Sequence, residues 1–345
     1  MKKLNPWKLA VPVAVLALVT GCSTPAGSAS GAPQGAETTN LVLDSCGRQV
    51  VFDKAPESVL AVGSEAPALL TAAGAGDKLT HYAGSMQVPF DEETMAVVRK
   101  ADRITEDSHD VSYEMILASG ADVVIGTDIA AGIDLDSLAE RLESAGVKML
   151  TVSGYCAGFE DRSTGGLSGF DQIYKDVESY GQLFGTEQVA AGSVKDMRSR
   201  VEQAARNAKQ ASGQRGMPLY VPVSGTLGSY GHESLIAEQM ELLGMENVFS
   251  DVPKRYFEPS TEELVNSAAD KVFAMYLPTG SSNLETDQQV IDELRNRPEL
   301  AGLPAIDQDS AIDQDSAIVP LNYYYSSPGP LAVDGVELIA DRLAR

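Results

Sequence analysis

The chain has 345 residues, enough for one large domain or two lobes with proper cores. It carries 26 basic against 49 acidic residues, a formal net charge of −23, which excludes a nucleic-acid-binding footprint and any general attraction for anions. An anionic ligand would need a local basic patch.

The first residues read as an export leader. Lys2, Lys3 and Lys8 give a basic start, residues 10–19 are apolar apart from Pro12, and small residues lead into Cys22. The apolar run is much shorter than the ~20 residues that span a bilayer. Val19-Thr20-Gly21-Cys22 looks like a bacterial lipobox, in which Cys22 is acylated (a palmitate-type anchor) and becomes the new N-terminus. The alternative is an ordinary cleaved signal followed by a chance cysteine. Residues 1–21 are thus read as signal peptide and 22–40, rich in Ser, Thr, Gly, Ala and Pro, as a flexible tether. The expected location is the extracytoplasmic face of the cell membrane, held by lipid.

Two cysteines remain, Cys46 and Cys156. An even pair in an exported protein reads most simply as a disulfide; two independent buried thiols are the alternative. No Cys-x-x-Cys or Cys/His cluster suggests structural zinc.

The next segments alternate. Residues 41–43 and 49–52 flank Asp44-Ser45-Cys46-Gly47, a hairpin signal. Strands are expected at 58–62, 79–82, 123–126 and 147–152. Helices are expected from 63 to 74, around Tyr113 to Leu117, and over 135–145. Strands alternating with helices imply a parallel α/β sheet. Residues 41–167 are read as the first lobe.

Residues 168–212 read differently. Small or apolar residues at Ala190, Val194, Met197, Val201, Ala204 and Ala208 follow helical spacing, and the preceding stretch breaks near Gly185. This is the expected helical connector. The α/β rhythm restarts over 213–345, with strands at 219–223, 271–277 and 317–321 and helices at 233–243, 260–268, 287–295 and 331–344. The hexapeptide at 305–310 is repeated at once at 311–316, which reads as a tandem duplication in a surface loop. The fold class is therefore α/β, with two Rossmann-like lobes, central parallel sheets and a long connecting helix.

This order resembles the substrate-binding lipoproteins of ATP-driven iron-siderophore importers, a family that also includes haem and cobalamin binders. The resemblance spans the chain after the leader. It is carried by Ala55-Pro56-Glu57-Ser58-Val59, Gly76-Asp77-Lys78-Leu79, Gly120-Ala121-Asp122-Val123-Val124-Ile125 and Gly244-Met245-Glu246-Asn247-Val248-Phe249. It continues through Glu258-Pro259-Ser260-Thr261-Glu262-Glu263-Leu264 and Ala269-Asp270-Lys271-Val272. The Asp44-Ser45-Cys46-Gly47 start with a later Cys156 looks like the actinobacterial siderophore-binding branch and favours a Cys46–Cys156 bridge.

The resemblance implies a ferric siderophore in a cleft between the lobes, with no resident cofactor. It implies delivery to an ABC permease served by a cytoplasmic ATPase, by a monomer anchored through lipid. It also implies one permease-docking glutamate per lobe, which falls on Glu114 and Glu262. Two separated carboxylates could dock on basic pockets and fix register. The bland reading is that both serve the first turn of a helix, where acids offset the dipole; Ser260 with Glu263 would make a capping box and leave Glu262 facing outward.

Cleft residues should lie on loops at the strand ends. That nominates Tyr82, His109, Tyr155 and Arg162 in the first lobe. In the second it nominates Tyr230, His232, Arg255, Tyr256 and the run Tyr323 to Tyr325, centred on Tyr324. Tyrosines offer flat apolar faces with a hydroxyl, and arginines can meet chelate oxygens. Haem is the alternative ligand, with His109 and Tyr230 or His232 as axial groups; cobalamin follows. A bare metal ion would have to use His81, His109 and His232. An enzyme finds no support in a Gly-x-Ser-x-Gly elbow, a His-Glu-x-x-His pair or a P-loop.

Overall fold

Short, fully buried apolar runs followed by amphipathic segments build two separate parallel sheets. The computed structural model describes residues 40–127, 135–156, 169–208, 213–278, 284–306 and 317–344. The leader, Cys22, the tether, Arg162 and residues 307–316 of the duplicated segment lie outside the described residues.

The domain opens with a hairpin, β1 (Leu41–Ser45) and β2 (Arg48–Phe52). Its turn is Cys46-Gly47, both at positive φ (56° and 82°), the two-residue geometry that matches strand twist. Alternation along both strands turns Leu43, Val50 and Phe52 inward.

The first sheet contains β3 (Val59–Val62), β4 (Leu79–Ala83), β5 (Asp102–Thr105), β6 (Val123–Gly126) and β7 (Lys148–Thr151). It is parallel throughout, in the order β5-β4-β3-β6-β7. The helices between them are α1 (Glu65–Ala72), α2 (Glu92–Val98), α3 (Tyr113–Ser119) and α4 (Leu135–Ser144). The chain runs outward from β3 on one side, then returns to lay β6 on the other. The order therefore reverses between β3 and β6.

The connector is two helices, not one: α5 (Gly169–Phe184) and α6 (Glu187–Asn207). Gly185, at φ +71°, ends α5, and Gly181 lets α6 fold closely against it, since a Cβ there would come within 2.5 Å of Ala190. The small and apolar positions of α6 from Ala190 to Ala204 are buried.

The second sheet is built from β8 (Arg215–Tyr220), β10 (Glu246–Asn247), β11 (Lys271–Tyr276) and β12 (Ile318–Asn322), parallel in the order β10-β8-β11-β12. A short β9 (Gly228–Ser229) adds antiparallel to β8. Strand β8 begins before Pro218, not after it as the sequence suggests. The helices are α7 (Leu235–Leu242), α8 (Thr261–Asn266), α9 (Asp287–Arg295) and α10 (Leu331–Leu343). Ala305 and Ile306, before the duplicated stretch, and Ala317 and Ile318, after it, are all buried in this lobe's own core.

One apolar cluster runs through both lobes. It joins Leu69 and Leu70 of α1 and Val177 of α5 to Met240 of α7 and Val336 of α10. Arg200 of α6 pairs with Asp334 and Glu337 of α10, which fixes the connector to the second lobe. Thr186 donates to the carbonyl of Ala73 and fixes it to the first (2.6 Å).

Candidate ligand-binding site

In open parallel sheets, ligands bind outside the carboxyl ends of the strands, where the strand order reverses. Both sheets present those ends to one cavity of about 770 Å3. Gly63, Ser64 and Glu65 follow β3, Thr127 follows β6 and Tyr155 follows β7. Residues 84–88 follow β4, and Glu106 to His109 follow β5. From the second lobe come Tyr220 at the end of β8, Leu277 and Pro278 after β11, and Tyr323 and Tyr324 after β12. Tyr230, Arg255 and Tyr256 complete the wall.

The switch point is tight. Gly63 has φ +88°, and a Cβ there would meet Thr127 at 2.8 Å. This turn delivers Glu65 to the cleft floor, where Oε1 accepts from the Tyr155 hydroxyl (2.9 Å).

Tyr155 is held from three sides. It lies in the turn Ser153–Tyr155, next to Cys156, which is bonded to Cys46 in the hairpin turn (Cα–Cα 5.0 Å). Ser153 donates from both its backbone N–H and its hydroxyl to Asp176 of α5 (2.8 and 2.5 Å). Burial pushes the Asp176 carboxyl up to about 6, against the pull of those two hydrogen bonds. Ser45 and Arg48 add ties from the hairpin to Thr151 and Met149 at β7.

The second-lobe wall is aromatic. Tyr220 meets Tyr256 and Tyr323 edge-on, with centroids 6.5 and 6.1 Å apart, and Tyr230 meets Tyr256 at 5.4 Å. Burial drives the hydroxyls of Tyr220, Tyr230, Tyr256 and Tyr324 above their ordinary range. They therefore act as O–H groups on flat apolar faces rather than as phenolates.

Among the described lining residues are three carboxylates (Glu65, Glu106, Asp107), two guanidiniums (Arg103, Arg255) and His109. Arg103 pairs with Glu106 at 2.6 Å. Asp107 accepts from the backbone N–H of His109 and meets its Nδ1 at 2.8 Å. The backbone hydrogen bond, then the ring, holds the Asp107 carboxyl below the usual range. Arg255 donates to the Tyr323 hydroxyl (3.2 Å) and stacks over Tyr155 of the other lobe. This is no anion-binding cluster; the charges nearly cancel.

His109, Tyr155, Tyr230, Arg255, Tyr256 and Tyr324 thus converge as the sequence suggests. Three described residues do not: Tyr82, His232 and Tyr325, whose carbonyl accepts from Gln239 of α7 (2.8 Å). Tyr82 sits within β4 and is fully buried in the core. Its hydroxyl donates to the Ser85 carbonyl (2.8 Å), so it braces a cleft loop from behind. His232 is exposed and outside the cavity, because the chain passes against the Val252 and Lys254 carbonyls at Gly231 and leaves the cleft. His81 lies on β4 beside Thr80 (3.0 Å), so the three histidines do not meet. No His/Cys/Asp/Glu cluster suited to a metal ion occurs among the described residues.

Sequence reasoning missed Glu65, Arg103, Asp107 and Tyr220. Glu114 and Glu262 are exposed in the first turns of α3 and α8, one in each lobe. Ser260 and Glu263 do form the capping box.

Comparison with known proteins places this geometry. A curated relative, the uncharacterised ABC transporter substrate-binding lipoprotein YvrC of Bacillus subtilis strain 168, is 23% identical over 254 residues, 72% of this chain and 74% of the relative. A solved structure described as an ABC-type Fe3+-hydroxamate transport system from Saccharomonospora viridis is 27% identical, with a TM-score of 0.72 over 88% of this chain and 99% of that one. The haem-binding protein RhuT of Roseiflexus shares the fold at 16% identity, TM-score 0.62, over 83% of this chain and 97% of its own. The periplasmic binding protein family matches residues 69–317, from α1 to the start of β12, so the chain belongs to that family and is a binding protein rather than an enzyme.

Proposed function

We propose that this protein is an extracytoplasmic lipoprotein that captures a ferric siderophore of the hydroxamate type and delivers it to an ABC permease driven by a cytoplasmic ATPase. The carrying observation is the cleft: about 770 Å3, walled by tyrosines, with near-balanced charge. Such a site suits a bulky complex of low charge and, among the described residues, offers no cluster of cations for a polyanionic catecholate. The similarity to the Saccharomonospora protein supports the same ligand class.

Lipid attachment at Cys22 and docking of Glu114 and Glu262 on permease arginines belong to this reading. The core shared between lobes and the fixed connector favour small motion on loading. Loaded protein would then be recognised through the bridged lobes rather than through wide closure.

Haem is the second reading. His109 lines the cleft with its Nδ1 on Asp107, a partner that would orient Nε2 as a ligand, and Tyr230 stands on the other lobe. His232, outside the cavity, is removed from that set.

The test is colour retention. Purified protein is incubated separately with ferric hydroxamate, ferric catecholate and haem, desalted and scanned. A retained broad charge-transfer band with hydroxamate is expected. A sharp Soret band would move the assignment to haem. Retention of neither would overturn the iron-complex reading.

A further inference from the structure

Glu65 stands where the strand order of the first sheet reverses, as the first residue of α1. It is 3% exposed, yet it lines the cavity. Burying a carboxylate is costly unless donors or a cation meet it. Among the described residues one donor meets it, the Tyr155 hydroxyl. Among the described residues Glu65 has no ion-pair partner: Arg103 is paired with Glu106, and Arg255 is directed to the Tyr323 hydroxyl and the Tyr155 ring. Gly329, from the second lobe, packs closely on the stem of the side chain: a Cβ there would lie only 3.1 to 3.3 Å from the Cα, Cβ and Cγ of Glu65.

We infer that Glu65 reads a cationic group on the ligand, so that the preferred cargo is a ferric hydroxamate complex bearing a protonated amine. This rests on the ferric hydroxamate reading above. Glu65 lines the cavity, and an ammonium group meeting its carboxylate there gains a charge-assisted hydrogen bond in a partly desolvated site. The surroundings agree: among the described lining residues three carboxylates face two guanidiniums, and the whole chain is acidic. A purely structural Glu65, offsetting the α1 dipole and bracing Tyr155, predicts no dependence on ligand charge.

The test compares two ferric trihydroxamate complexes that differ only in a terminal amine, free in one and N-acetylated in the other. Binding to the purified protein is measured by equilibrium dialysis, following the visible band. The free-amine complex should bind about 10- to 100-fold more tightly, the range for a charge-assisted hydrogen bond. Glu65→Gln keeps an acceptor for Tyr155 and should abolish the preference between the two complexes. Equal affinities in the unmodified protein would overturn the inference while the ferric hydroxamate reading stands. So would a preference that survives in Glu65→Gln. Failure of both complexes to bind would overturn the hydroxamate reading, and the inference with it.

Discussion

The Arg255 guanidinium lies 4.7 Å from the centroid of the Tyr155 ring, and the two residues come from opposite lobes. Tyr155 is braced by Glu65 and by its neighbour's disulfide; Arg255 is braced by Tyr323. The contact is therefore a fixed strut across the cleft. A double-mutant cycle of Arg255→Ala and Tyr155→Leu should give a coupling of about 0.5–2 kcal/mol in urea unfolding. Strictly additive losses would show that the lobes do not meet here.

Asp176 makes stability depend on pH. Its carboxyl is raised from 3.8 to about 6 by burial, so the folded protein holds this proton more tightly than the unfolded chain does. The carboxyl's contribution to stability must then fall as pH rises from about 4 to about 6, and stay lower above that. Asp176→Asn can still accept from the Ser153 N–H and can donate to its hydroxyl. The variant should lose this slope and gain up to about 3 kcal/mol at pH 7. Parallel stability profiles for the two proteins across that range would refute the assignment.

The disulfide closes a loop with a sequence separation of 110. Chain entropy for such a loop corresponds to roughly 4–5 kcal/mol of stabilisation. Replacing both cysteines by serine should lower the unfolding midpoint accordingly. It should also weaken ligand binding by a few fold, since Tyr155 precedes Cys156. Unchanged affinity together with unchanged stability would mean that the hydrogen bonds of Ser45, Arg48 and Ser153 hold this corner alone.

Glu114 and Glu262 touch no part of the cavity. Reversing both to lysine should abolish uptake by the assembled transporter and leave ligand affinity unaltered. Uptake at the normal rate would remove both residues from the docking surface.

Much of the fold was legible because apolar spacing and punctuation agree. The buried positions of α6 follow the helical period, Gly185 marks the break, and Ser260 with Glu263 announces α8. The segment holding α2 and β5 was not legible. Its helix buries only Thr94 and Val98, and its strand is an exposed edge rich in charge. The site was legible in its aromatic wall and illegible on its floor. Tyr82 looks like the last residue of its strand, at the mouth of a cleft loop, until pairing with β3 and β5 shows that the strand runs on to Ala83. Glu65 looks like any first-turn acid. Only the strand order places it at the reversal, and strand order is a long-range property that no local pattern carries.

The buried pairs Ala305-Ile306 and Ala317-Ile318 bracket the tandem hexapeptide. The duplication supplies a third Ala-Ile pair, Ala311-Ile312, in sequence between the two that the described residues seat in that lobe's core. The chain is thus degenerate in register: removing either copy of the hexapeptide regenerates both anchors and only shortens the span between them. A protein lacking residues 311–316 should keep its unfolding midpoint and its ligand. A loss of several degrees would show that the longer span is itself required.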